Sequence, residues 1–243
     1  MSSKGPKRAR AVSAQRLAQQ RAAERRRRAL VAGAIAAAVL LVSVVIGIAV
    51  YTSRDKAPDE FAIPKGATAT GVVVGDPKAE VTVDLYVDYL CPICKEFEDQ
   101  AGAELDKLVA DGTIKIDYHP VAYLDRLSST EYSTRASAAA GAAIEAGVFD
   151  EFTKQLFANQ PPEGGAGLSN DTLIELGAKA GASSPEFAQA VRDQKFAGWT
   201  AALTEAASKR GVSGTPTVLV DGQRVENLSV DALKAAIAKN TPQ

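Results

Sequence analysis

Cysteine, histidine, methionine and tryptophan are all scarce in this chain: two, one, one and one among 243 residues. Two cysteines cannot staple a small disulfide-rich scaffold, so the fold must rest on a hydrophobic core. The cysteines stand as Cys91-Pro92-Ile93-Cys94. A CxxC pair is also half of a zinc site, but tetrahedral zinc needs further ligands. No other cysteine exists and His119 is the sole histidine, so neither a metal site nor a cofactor is expected. No internal repeat is visible, which excludes solenoid and propeller architectures.

Charge is missing altogether from residues 29–51, ALVAGAIAAAVLLVSVVIGIAVY. As a helix rising about 1.5 Å per residue this stretch reaches roughly 34 Å, enough for a hydrocarbon core of about 30 Å. It is longer than the usual signal-peptide core, and a retained signal anchor is expected. The net charge of −1 conceals an asymmetry. Residues 1–28 hold ten Lys or Arg against one acid, Glu24. Arg25 to Arg28 abut the apolar stretch, whereas Arg54, Asp55, Lys56, Asp59 and Glu60 mix both signs beyond it. The positive-inside rule then puts the N-terminus in the cytoplasm and the remainder outside. Such an arm can also bind nucleic acid; its position against an apolar span favours topology, and no nucleic-acid partner is expected.

Residues 52–70 lack periodicity and read as a linker, and a single domain is expected over 71–243. Two apolar runs split by Gly75-Asp76-Pro77 read as strands, with Val83, Leu85 and Val87 alternating with Asp84, Tyr86 and Asp88. A helix is expected over about 91–110, then a strand, TIKIDY, over 113–118, closed by His119-Pro120. From about 128 to 210 the period is helical. Ser169 or Asn170 begins one helix there, and Ser184-Pro185-Glu186 begins another. Phe149, Phe152, Phe157, Phe187, Phe196 and Trp199 fall at core spacings. Thr217–Val220 reads as a strand, Asp221-Gly222 as a hairpin turn and 224–226 as the return strand. Ser229 caps a last helix to about Lys239.

The CxxC lies where a strand meets a helix, so Cys91 belongs at a helix N-terminus. Free N–H groups and the helix dipole there favour an anion, and the thiolate is the attacking species in disulfide chemistry. Cys94, one turn further in, is near enough to close a disulfide, and Pro92 fits the first turn because its missing N–H costs nothing there. A purely structural bridge across two residues would constrain the unfolded chain little. Redox exchange is therefore the expected chemistry. Later, Gly211-Val212-Ser213-Gly214-Thr215-Pro216-Thr217 places a proline directly before a strand, a candidate cis bond.

Residues 81–97 (VTVDLYVDYLCPICKEF) and 211–222 (GVSGTPTVLVDG) resemble the DsbA-like branch of the thioredoxin superfamily. The resemblance covers about 72–240. It implies an α/β thioredoxin-like fold with a helical insertion over about 121–211. It also implies that Cys91 and Cys94 are the catalytic pair and that Thr215 and Pro216 dock the substrate chain. Pro92 and Ile93 tune the pair. The family dipeptide Pro-His is here Pro-Ile, and isoleucine cannot hold a thiolate, so weaker oxidising power than DsbA is expected. The residue before Pro216 is threonine, as in several reductases and isomerases. The acid that the family buries six residues before the first cysteine is here Leu85. Asp88 matches another acid common in the branch and is either a proton-handling group or a solvated strand end. His119 is expected at a turn or on the surface.

The expected function is disulfide formation in exported cysteine-containing proteins, with reoxidation by a membrane partner of the DsbB or vitamin K epoxide reductase type. A reductase or isomerase role, as in cytochrome c maturation, and a non-catalytic thioredoxin-like domain are the alternatives.

Overall fold

The computed structural model describes residues 61–241. The basic tail, the apolar span 29–51 and the first part of the linker lie outside the described residues. Among those described, no helix is long and apolar enough to cross a membrane.

Five strands form one sheet: β1 (Val72–Val74), β2 (Val81–Val87), β3 (Ile114–Pro120), β4 (Thr217–Val220) and β5 (Gln223–Arg224), in the order β1-β3-β2-β4-β5. β2 and β3 are parallel and joined by α1 (Pro92–Ala110); the other pairings are antiparallel. A parallel pair needs such a crossover and is covered on both faces. Accordingly β2 is buried on one side through Val81, Val83, Leu85 and Val87, and only partly open at Thr82 and Asp84 on the other. β3 runs on through His119 and Pro120, two residues past the expected end, because they pair in register with Tyr86 and Val87.

Between β3 and β4 stands the helical block: α2 (Tyr132–Glu145), α3 (Phe149–Ala158), α4 (Asn170–Ala180), α5 (Pro185–Arg192) and α6 (Ala197–Lys209), entered through a short 3-10 turn at Asp125–Leu127. α7 (Val230–Asn240) closes the fold. Ser169, Ser184 and Ser229 cap α4, α5 and α7 by accepting from Thr172, Phe187 and Ala232 backbone N–H groups, the bond that N-cap serines supply. α2 is rich in alanine, and most of it is buried. Phe149, Phe152, Phe157, Phe187, Phe196 and Trp199 are all buried, each worth about 1.5–3 kcal/mol in area removed from water. The block packs tightly: a Cβ at Gly177 would come within 2.1 Å of the Phe187 ring.

Residues 61–70 lie against this block. Phe61 packs on the core, Trp199 Nε1 donates to the Thr68 carbonyl at 2.8 Å, and Lys65 N–H donates to Glu145 at 3.2 Å.

Candidate active site

Four residues separate the end of β2 from the start of helix α1, and Cys91 is the helix's N-cap residue (φ −75°, ψ 115°) with no side-chain cap on the helix end. The free N–H groups of the first turn are therefore available to the Cys91 sulfur. Its pKa is lowered to about 6, chiefly by a hydrogen bond from the Cys94 thiol. Burial opposes this; the Thr215 side chain and the backbone N–H groups of Cys94 and Ile93 assist. Cys94 is fully buried. Burial first, then its bond to Cys91 and the charge there, push its thiol well above the ordinary range. Both cysteines are free thiols. The pair is thus polarised: one sulfur is an anion near neutral pH and the other holds its proton.

β4 brings the second half of the site. It pairs antiparallel with β2, Tyr86 opposite Thr217, so the segment entering β4 lies beside the turn leaving β2. The Thr215–Pro216 peptide is cis, and the Cys91 Sγ lies 3.3 Å from the Thr215 carbonyl oxygen. Thr217 Oγ1 donates to the Gly214 carbonyl at 2.8 Å and closes the loop. Pro92 occupies the first turn of α1. Ile93 is 56% exposed, an apolar side chain standing next to the reactive sulfur. Cys91, Cys94, Pro92, Ile93, Thr215 and Pro216 are therefore gathered at one end of the sheet.

Asp88 is not a solvated strand end: it is fully buried. Its Oδ1 accepts from Leu90 N–H at 2.9 Å and Ser133 Oγ at 2.7 Å, and its Oδ2 accepts from Leu124 N–H at 2.9 Å. Burial raises its pKa against those three bonds. With both oxygens engaged by the turn, α2 and the 121–124 segment, Asp88 positions the turn that carries Cys91. His119 likewise departs from expectation. It is 1% exposed and stacked on Tyr86 with ring centroids 4.1 Å apart.

Two further residues at the site carry no local sequence signal. The Gln160 carboxamide, just past α3, donates to the carbonyls of Tyr89 at 3.0 Å and Cys91 at 2.9 Å, tying the helical block to the CxxC turn. Glu98, one turn beyond Cys94 on α1, borders a cavity of about 250 Å³ lined also by Leu85, Tyr118, Asp106, Asp150 and Lys154. Burial and the charges of Asp106 and Asp150 raise its pKa to about 7. Lys154 offsets little, because it is already paired with those two acids at 2.8 and 2.7 Å. The carboxyl absent at Leu85 is supplied to this cavity from the helix instead.

Glu98 has a consequence for stability. Its folded pKa of about 7 lies above the unfolded value of about 4.3, so the folded chain holds the extra proton between those limits. Its contribution is full below about pH 4.3 and is lost as pH rises through 7. Glu98→Gln should therefore match the wild type at pH 4 and exceed it at pH 8 by about 2–3 kcal/mol, read by urea unfolding at both pH values. Equal pH dependence of the two proteins would place the Glu98 carboxyl in water.

A strand, a CxxC at a helix N-terminus and a cis-proline loop in contact with the first cysteine define a thiol–disulfide oxidoreductase. The comparisons agree. The family model described as Thioredoxin matches residues 67–239, and the chain belongs to that family. Oxidised DsbA of Mycobacterium tuberculosis superposes with a TM-score of 0.61 at 32% identity, covering 73% of this chain and 91% of that one. The reduced disulfide bond oxidoreductase DsbG of the same organism gives a TM-score of 0.60 at 32% identity, covering 72% and 85%. Na(+)/H(+) antiporter NhaA 3 of Salinispora tropica is 32% identical over 170 residues, which are 68% of this chain and only 24% of that protein.

Proposed function

We propose that this chain is a membrane-anchored disulfide oxidase acting outside the cytoplasm on exported cysteine-containing proteins. The observation that carries the reading is the polarised pair, with Cys91 at about 6 and Cys94 raised. Stabilising a thiolate stabilises the reduced pair, and a stable reduced form makes the disulfide form an oxidant. At pH 7, lowering one thiol from about 8.5 to about 6 favours the reduced form by about 1.4 kcal/mol, or ~30 mV in a two-electron couple.

In the forward reaction a substrate thiolate attacks Cys91 Sγ of the closed disulfide, and Cys94 leaves as the thiolate and takes up a proton. A second substrate thiolate then attacks the substrate sulfur of the mixed disulfide. Cys91 departs as a stabilised anion, the substrate gains a disulfide, and the pair holds two electrons. Thr215 and Pro216 dock the substrate chain during this exchange, and exposed Ile93 offers it an apolar contact. A quinone-linked membrane protein of the DsbB or vitamin K epoxide reductase type takes the electrons away. The uncharged stretch 29–51 with its arginine flank supports the anchor and the outside location.

Equilibrium titration of the full chain against a thiol–disulfide buffer tests the direction. A Cys91 pKa of about 6 lies between the values of about 7 for thioredoxin and about 3.5 for DsbA, so the potential should fall between about −270 and −120 mV. A potential at or below about −270 mV contradicts the oxidase and favours a reductase.

A further inference from the structure

The sheet face turned away from α1 carries a second cluster that disulfide exchange leaves unused. Asp84 on β2 and Asp117 on β3 are directly paired across the parallel ladder, and His119 lies two residues past Asp117 on the same face. One oxygen of each carboxylate and one nitrogen of His119 lie within 4.8 Å of one another.

His119 is buried, and its Nδ1 is hydrogen-bonded to the Thr70 carbonyl oxygen. A carbonyl only accepts, so Nδ1 is the protonated nitrogen and, in a neutral ring, Nε2 bears the lone pair. That Nε2 points between two carboxylates, 3.4 Å from Asp84 Oδ1 and 3.8 Å from Asp117 Oδ2. The first is a long hydrogen bond when Nε2 carries a proton, and the second lies beyond hydrogen-bonding distance. The remaining Asp117 oxygen, Oδ1, is buried and has no hydrogen-bond partner. A lone pair and two carboxylates facing one another repel unless a cation sits among them, either a second proton that makes the ring an imidazolium paired with both acids or a metal ion. The nearest side-chain cation, Arg210, keeps its Nη1 4.0 Å from Asp84 Oδ1 and donates to the Tyr86 hydroxyl instead. The segment above is built close: a Cβ on Gly71 would come within 2.7 Å of both Asp117 Oδ1 and His119 Nδ1.

We propose that Asp84, Asp117 and His119 form a binding site for a zinc-class divalent cation, separate from the CxxC pair. Zinc bonds of about 2.0–2.2 Å at the tetrahedral angle put neighbouring ligand atoms roughly 3.3–3.6 Å apart, close to the 3.4 and 3.8 Å from His119 Nε2 to the two carboxylates. An imidazole in the set selects zinc-class ions over calcium or magnesium. The Thr70 carbonyl is the outer partner that fixes the tautomer and orients the ring. The ion ties β2, β3 and the 70–71 segment together and stabilises the folded state by mass action.

The test uses the full chain with Cys91 and Cys94 closed as a disulfide, which removes the competing thiols. Cobalt(II) serves as the spectroscopic probe and zinc(II) as its competitor. One equivalent should bind with the visible bands of a four-coordinate nitrogen–oxygen site and no thiolate charge-transfer band. Zinc should raise the melting temperature. Loss of an outer partner alone lowers metal affinity by about 10–100-fold, so Asp84→Asn should weaken binding by about 100-fold or more and leave exchange at Cys91 intact. His119→Gln, if it folds, should do the same. Binding seen only in the reduced protein with thiolate bands overturns the site, as does undiminished binding in Asp84→Asn or none at all in the oxidised wild type.

Discussion

Cys91→Ser is expected to lose all disulfide exchange, and Cys94→Ser is expected to capture substrates as stable mixed disulfides. Serine is no nucleophile at neutral pH without a base to activate it. The sulfur left in Cys91→Ser is Cys94, which is fully buried and holds its proton. It therefore lacks both the access and the charge that exchange requires. Cys94→Ser has no disulfide to pass to a reduced substrate, but its Cys91 thiolate can attack a disulfide of an oxidised substrate, and no Cys94 thiol remains to resolve the mixed disulfide that forms. Cys94→Ala removes the largest contribution to the lowered Cys91 pKa, so its thiol should climb back toward about 8.5. Oxidative refolding of a reduced substrate reads the loss of activity, incubation with a disulfide-containing substrate followed by non-reducing electrophoresis reads the trapped mixed disulfide of Cys94→Ser, and the pH dependence of alkylation reads the Cys91 thiol in Cys94→Ala. Activity retained in Cys91→Ser would transfer the nucleophile to Cys94.

Asp88→Ala should destabilise the domain by about 3–5 kcal/mol. The carboxylate is fully buried and is the acceptor for three donors, from Leu90, Leu124 and Ser133. A buried donor left without an acceptor costs about 1–3 kcal/mol. Part is returned because a desolvated carboxylate disappears and because the Ser133 hydroxyl can rotate to another acceptor. Asp88→Asn keeps one oxygen and should lose less, its amide facing the Leu124 N–H. Urea unfolding measures the difference, and a loss under about 1 kcal/mol would show that water reaches this turn.

The exchange site was legible in sequence to the extent that its parts are local. Cys91-Pro92-Ile93-Cys94 declares a helix N-terminus by its own residues, and Ser169, Ser184 and Ser229 announce three helix starts. The cis bond at Thr215–Pro216 was suggested by a proline before a strand and confirmed by structure. Residues whose partners are distant in sequence gave no such sign. Asp88 meets Leu124 and Ser133, 36 and 45 positions away. His119, expected at a turn or on the surface, is buried by Tyr86 and by Thr70, 49 positions earlier. Glu98 occupies an unremarkable polar helix position until α3 brings Asp150 and Lys154 beside it. Gln160 precedes a Pro-Pro pair and reads as loop, yet it holds the Cys91 carbonyl. The return strand of the final hairpin shrinks to Gln223–Arg224; nothing pairs on its far side in the five-stranded sheet, and an edge strand of this length is a common way to discourage further pairing.

Cys91 as a ready-made thiolate beside a protonated Cys94 is the claim on which the rest depends. The pH dependence of iodoacetamide alkylation of the reduced protein, with the modified cysteine identified by mass spectrometry, measures it. The rate at Cys91 should be half-maximal near pH 6, with Cys94 unmodified throughout; a midpoint at about 8.5, the value of a free thiol, or first modification at Cys94 would contradict it.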